Sequence, residues 1–209
     1  MMKCLFVDDH AIVRDALALL IALHHPHVDL RQAARVADAR AVLASEDDVD
    51  LVLLDLALPD SSGLATLEAV RAAAPACRIV VLSADERPET VLAAIDAGAA
   101  GYIPKTTEST VLRNALGTVL AGGVYVPPVA SARAGEPSSA PPQELLGLTA
   151  RQTDVLRMLV DGGSNKLIAR ALDLSPSTVK THVEAIFQRL QVSSRTQAVV
   201  AAARLGLRL

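Results

Sequence analysis

Residues 51–63 read LVLLDLALPDSSG. Four consecutive apolar residues lead into Asp55, and a turn rich in proline, serine and glycine follows. A short apolar run closed by turn residues is the pattern of a strand covered on both faces, as in the parallel sheets of α/β proteins. A carboxylate at the end of such a strand is costly unless something pairs with it. The stretch therefore poses two questions: which strands flank it, and what Asp55 faces.

Working outward, KCLFV (3–7), RIVVLS (78–83) and GYIPK (101–105) have the same strand character, and VDLRQ (28–32) is a weaker version. Helical periodicity fills the gaps at 11–23, 36–44, 62–74, 88–97 and 107–121. Strand–helix repeated five times predicts a doubly wound α/β domain with a five-stranded parallel sheet.

In an open parallel sheet, ligands bind at the carboxyl ends of the strands. The first strand ends in Asp8-Asp9, the third in Asp55, the fourth in Ser83 and the fifth in Lys105. Three acids on one edge repel one another unless a cation sits among them, and hard carboxylate oxygens suit Mg²⁺. The expected metal set is Asp8, Asp9, Asp55 and the backbone carbonyl of Ala57. With Lys105 and Mg²⁺ to neutralise charge and Ser83 to hydrogen-bond a phosphoryl oxygen, Asp55 reads as a nucleophile that becomes an acyl phosphate.

The chain has 209 residues, enough for two modest domains, and 51% of them are hydrophobic. No apolar stretch approaches the ~20 residues a membrane span needs, and acids at positions 8 and 9 spoil a signal-peptide layout. The two cysteines, Cys4 and Cys77, lack metal-ligand spacing and read as reduced thiols. A cytoplasmic protein with no membrane partner is expected. Residues 1–125 hold 10 Lys/Arg and 17 Asp/Glu, for −7, whereas 145–209 hold 9 and 4, for +5. Only the tail is suited to a polyanion. Between them, 126–144 reads as an extended linker, with five prolines in 127–143. The expected domains are therefore 1–125, 126–144 and 145–209.

The tail reads as four helices. Thr149 and Gln152 form a capping box for the first, and Gly162-Gly163 ends it. Ser164 caps a short second helix that reaches about Leu172. Ser175, with Pro176 next, opens the third, and Ser194 caps the fourth. Along the third helix Val179, Val183, Ile186, Phe187 and Leu190 make one buried stripe, while Ser177, Thr181, Glu184 and Gln188 lie opposite with Lys180 beside them. A short helix, a tight turn and a polar-faced helix form a helix-turn-helix that can enter the major groove. Lys180 and Thr181 are candidates for base or nearby phosphate contacts on double-stranded DNA. Lys166, Arg189 and Arg195 are candidates for phosphate, and Ser177, Thr178, His182, Glu184 and Gln188 complete the candidate surface.

FVDDH, LVLLDLALPDSSG, VVLSA and AGAAGYIPK resemble the receiver domain of two-component response regulators over roughly 3–121. The stretch LTARQTDVLRMLVDGGSNKLIARALDLSPSTVKTHVEAIFQRLQVSSRTQAV resembles the LuxR-type DNA-binding domain over about 148–205. Together they look like a response regulator of the NarL/FixJ type. The resemblance implies a flavodoxin-like sheet ordered 2-1-3-4-5 and phosphotransfer from a sensor histidine kinase. It also implies a switch in which Ser83 moves toward the phosphoryl group and Tyr102 rotates inward. For the tail it implies a dimerising last helix at 194–205 and binding to inverted repeats as a homodimer. Three residues depart from the pattern: Asp173 and Gln191 stand where glycine is usual, and Glu184 where a lysine or polar residue is common. A hydrolase with an Asp nucleophile would carry a second aspartate two residues on, where this chain has Ala57, so an enzyme is not expected. A regulator that ignores phosphate is the remaining alternative.

Overall fold

The computed structural model describes residues 1–46, 48–131 and 146–205. It divides into two compact units, Met1–Arg113 and Asn114–Leu209. The first unit runs β1 (Met2–Val7), α1 (Ala11–His24), β2 (Val28–Ala33), α2 (Val36–Ser45), β3 (Leu51–Leu54), β4 (Ala57–Leu58), β5 (Ser61–Ser62), α3 (Leu64–Ala73), β6 (Arg78–Ser83), α4 (Pro88–Asp96) and β7 (Gly101–Pro104). The unit boundary falls inside α5 (Ser109–Leu120).

Five strands form one parallel sheet in the order β2-β1-β3-β6-β7, as the resemblance implies. Every residue of β3 is buried, which is why that strand carries no polar alternation. The registers align the strand ends: Val7 pairs with Leu54, Leu54 with Val81, and Ser83 with Pro104. The ladder then runs one residue further. Asp8 donates its N–H to the Ala33 carbonyl at 3.1 Å, Asp55 to Val7 at 2.8 Å and Lys105 to Ser83 at 2.8 Å. Backbone pairing thus delivers two carboxylates and an ammonium to the carboxyl edge, next to the reversal of strand order between β1 and β3.

Immediately after Asp55 the chain makes a feature too short to read from sequence. β4 and β5 pair antiparallel, Ala57 with Ser62 and Leu58 with Ser61. Gly63 follows at φ +63°, a left-handed conformation that glycine adopts without a Cβ clash, and turns the chain into α3.

In the second unit α5 is followed by a 3-10 turn at Pro128–Ser131, then α6 (Ala150–Val160), α7 (Asn165–Ala171), α8 (Pro176–Leu190) and α9 (Arg195–Arg204). The extended linker expected at 126–144 is corrected at its start. Val126, Pro127 and Ala130 lie against Val199, Val200 and Ala203 of α9, and burial of Pro127 and Ala130 outweighs the proline preference for extended chain. Residues 132–145 lie outside the described residues. The four expected caps form. Thr149 and Gln152 exchange a reciprocal capping box, and Ser164, Ser175 and Ser194 each accept from the amide three residues on. Val155, Leu156, Leu159, Ile168, Val179 and Ile186 make the centre of the four-helix core. Phe187 and Leu190, expected in the buried stripe, are only partly buried at its rim.

Candidate functional site: an acidic strand-end cluster and a helix-turn-helix

The strand ends bring Asp8, Asp55 and Lys105 together. The Lys105 Nζ lies 2.7 Å from Asp8 Oδ2 and 2.6 Å from Asp55 Oδ2. Asp8 is fully buried and Asp55 is 2% exposed, so neither carboxylate is solvated by bulk water. Asp8 Oδ1 accepts the His10 amide at 2.9 Å. Asp8 Oδ2 is buried with no aligned hydrogen bond and has the ammonium alone as counter-charge. One ammonium among three acids leaves negative charge in excess. Oxygen atoms of Asp8, Asp9 and Asp55 and a ring nitrogen of His10 all lie within 4.8 Å of one another. That hard, acidic set with an underprovided buried oxygen fits a small divalent cation.

Ala57 donates its amide to Asp55 Oδ1 at 3.3 Å, which places the Ala57 backbone beside the same carboxylate. The Leu56 carbonyl accepts from the Gly63 amide at 2.8 Å and from the buried Thr66 hydroxyl at 3.2 Å. The loop after Asp55 is therefore held from α3.

Ser83 is 4% exposed, and its hydroxyl accepts the Asp85 amide at 3.2 Å. Tyr102 is fully buried and its hydroxyl donates to the Asp85 carbonyl. The inward position that the resemblance attaches to the switched form is already taken in this structure. Burial pushes the Tyr102 phenol up to about 12. Beyond Ser83, Asp85 accepts from the Arg87 guanidinium, the Arg87 amide and the Thr90 hydroxyl. The Arg87 side chain above all holds this carboxyl well below the usual carboxylate range. This clasp, like His10 and Asp60, escaped the sequence reading. Only the spacing of Asp85 and Arg87 after the strand could have signalled it.

On the helix-turn-helix, Ser177, Thr178, Lys180, Thr181, Glu184, Gln188 and Arg189 of α8 and Lys166 of α7 are exposed, and His182 is half-buried. Ser175 accepts from the Thr178 amide at 3.0 Å, fixing the start of α8. Lys180 and Glu184 stand 3.9 Å apart as an i, i+4 pair, so the carboxylate draws on the cation beside it. Thr181 turns its hydroxyl to the Ser177 carbonyl at 3.2 Å. Arg195 has partners inside the fold. Its guanidinium donates to Asn165 Oδ1 at 2.8 Å and to the Gly163 carbonyl, tying α9 to the start of α7. Half-buried, it joins the last helix to the start of the short second one.

The model "Response regulator receiver domain" matches residues 4–117, and "Bacterial regulatory proteins, luxR family" matches 146–202. The chain is 36% identical to the glycerol metabolism activator of Pseudomonas putida over 97% of its own length and 95% of that protein's. It is 34% identical to the nitrate/nitrite response regulator protein NarL of Escherichia coli K12, with 94% and 92% covered. Among solved structures, RcsB of Salmonella enterica serovar Typhimurium bound to promoter rprA matches at a TM-score of 0.57 and 20% identity, covering 99% of this chain and 100% of that one. A LuxR family DNA-binding response regulator from Silicibacter pomeroyi matches at 0.53 and 31% identity, over 61% of this chain and 98% of that one. With both domains matched in order and whole-length relatives above 30% identity, the chain belongs to the response regulators of the NarL/FixJ type, phosphorylatable regulators of transcription with a receiver domain ahead of a LuxR-type DNA-binding domain.

Proposed function

We propose that Asp55 is the phosphoacceptor of this chain and that a sensor histidine kinase is the donor. The observation that carries the reading is Lys105, whose ammonium lies between the buried carboxylates of Asp8 and Asp55. An Asp55 oxygen attacks phosphorus, the phosphorus–nitrogen bond of the donor breaks, and its electron pair stays with the imidazole. Lys105 then faces a phosphoryl oxygen, and Ser83 supplies its hydroxyl as a hydrogen-bond donor. Asp8, Asp9, Asp55 and the Ala57 carbonyl would hold Mg²⁺, which supplies charge neutralisation to the transferring group. The kinase would approach over α1, where Ile12 is 85% exposed and Leu19 62%. An apolar groove lined by Ile12, Val13, Ala16 and Leu20 reaches Lys105 there.

In this reading the exposed face of α8 enters the major groove of an inverted-repeat site, and the bound form is a homodimer. Lys180, Thr181, Ser177, Thr178, His182, Glu184 and Gln188 are the residues offered to bases and nearby phosphates, with Lys166 and Arg189 at the backbone. Among the described residues no helix is long and apolar enough to cross a membrane, and a DNA-binding regulator acts where the chromosome is, in the cytoplasm. Ala57 stands where a phosphohydrolase would carry its general acid, which favours a phosphoacceptor over an enzyme. The test is intact mass after incubation with acetyl phosphate and Mg²⁺. The wild type gains one phosphoryl group and Asp55→Asn gains none. Labelling of Asp55→Asn would overturn the assignment.

A further inference from the structure

Asp60 lies five residues beyond the phosphoacceptor and takes no part in the chemistry above. Its carboxylate leaves the loop altogether. Oδ1 accepts the Val36 amide and Oδ2 the Ala37 amide, each at 3.0 Å. These are the first two N–H groups of α2, which have no partner within their own helix. The N-cap position itself, Arg35, is extended and supplies no side-chain cap. Both amides donate to an ionised acceptor, and together they hold the Asp60 carboxyl below its ordinary range.

The consequence lies in the geometry of the loop. Ala57–Leu58 and Ser61–Ser62 pair as a miniature hairpin, which puts Pro59 and Asp60 at its tip. The base is fixed to α3 through the Leu56 carbonyl, which accepts from Gly63 and from the buried Thr66 hydroxyl. The Ser61 hydroxyl lies 3.0 Å from that of Thr66. The tip is fixed to α2 by Asp60. Ala57 lies between the two anchors, in a strand of two residues that cannot hold a fixed orientation alone.

We propose that Asp60 is a positioning residue: by anchoring the hairpin tip to the start of α2, it aims the Ala57 carbonyl at the divalent cation of the phosphorylation site. This rests on the reading of Asp8, Asp9, Asp55 and the Ala57 carbonyl as the cation's ligands. Asp60 touches neither cation nor phosphoryl group, and acts by removing the freedom of a ligand that belongs to the backbone.

A plain helix cap would make a different prediction, and two variants separate them. Asp60→Ala removes both cap and anchor. Adding Arg35→Ser gives α2 a local cap without restoring the anchor. The full-length unphosphorylated chain is titrated with Mg²⁺, following the amide resonances of Asp55 and Lys105. Hydrogen exchange across 57–62 is measured separately in the metal-free protein. The expected result is Mg²⁺ affinity about tenfold weaker in both variants, as for other residues that orient a metal ligand. Exchange across the hairpin is faster in both, while Arg35→Ser restores the thermal midpoint. Recovery of Mg²⁺ affinity in the double variant, or unchanged affinity in Asp60→Ala, overturns the proposal and leaves Asp60 a helix cap. A wild type that binds no Mg²⁺ overturns the ligand reading itself, and the exchange data then report on the anchor alone.

Discussion

Lys105 carries more than its own charge. It is 16% exposed at the side chain and is the ammonium between Asp8 and Asp55. Removing one partner from such a cluster leaves uncompensated buried charge, which costs about 3 kcal/mol. Lys105→Ala should therefore lower the thermal midpoint in the absence of divalent cation, and millimolar Mg²⁺ should restore more of it than it adds to the wild type. Asp55→Asn changes the balance the other way. It removes one of the mutually repelling acids and keeps the Lys105–Asp8 pair, so its midpoint should be no lower than that of the wild type. Calorimetry of both variants with and without Mg²⁺ checks the pair. Tyr102 gives a titration with a defined sign. An unfolded tyrosine ionises near pH 10, and burial raises this phenol to about 12. Its contribution to stability is present below pH 10 and is lost as pH rises toward 12, because the folded chain keeps a proton that the unfolded one releases. In a Tyr125→Phe background, absorbance at 295 nm should show Tyr102 still mostly protonated at pH 11.

Two helix ends in the second unit carry their strain openly. Gln191 closes α8 at φ +56°, with the Val192 amide returning to the Phe187 carbonyl at 3.0 Å. Asp173 closes the turn before α8 at φ +52°, with the Leu174 amide returning to Ala169 at 2.9 Å. Both are left-handed closures that favour glycine. Gln191→Gly should raise the stability of this unit by up to about 1 kcal/mol. Ser175→Ala, which deletes the cap of α8, should lower it by about 1 kcal/mol. Thermal unfolding followed by circular dichroism reads both, and Ser175→Ala should also weaken DNA binding by fraying the start of α8. The caps were legible in the sequence because each depends on a residue and its near neighbours, whereas the two closures were legible only through the resemblance, which has glycine at both positions. The five strands were legible for a similar reason, since burial on both faces writes itself as an apolar run. β2 was faint because it is only partly buried, and its Arg31 pairs with Asp29 and Glu46 instead of entering the core. The contacts that escaped reading are those between residues distant in the chain. Asp60 reaches α2 over more than twenty residues, and Arg195 reads as a free cation until Asn165 and Gly163 are brought against it.

At the scale of the whole chain, the uneven charge is the strongest physical feature left to account for. Residues 1–125 carry −7 and 145–209 carry +5. A polyanion approaching α8 therefore meets attraction from one part of the molecule and repulsion from the other, whatever their arrangement in space. A fragment beginning at Ala121 keeps the apolar segment that covers Val200 and Ala203 of α9, and so tests the field without uncovering that helix. At low ionic strength it should bind a given duplex more tightly than the unphosphorylated full chain. Raising the salt weakens both by counterion release. It also shortens the screening length from ~10 Å at 0.1 M to ~3 Å at 1 M, so that repulsion from distant acids fades first. Fluorescence anisotropy of a labelled duplex across a NaCl series should therefore show the two affinities converging. A difference that persists undiminished at high salt cannot come from a screened field, and would assign the restraint to short-range contact in the unphosphorylated chain.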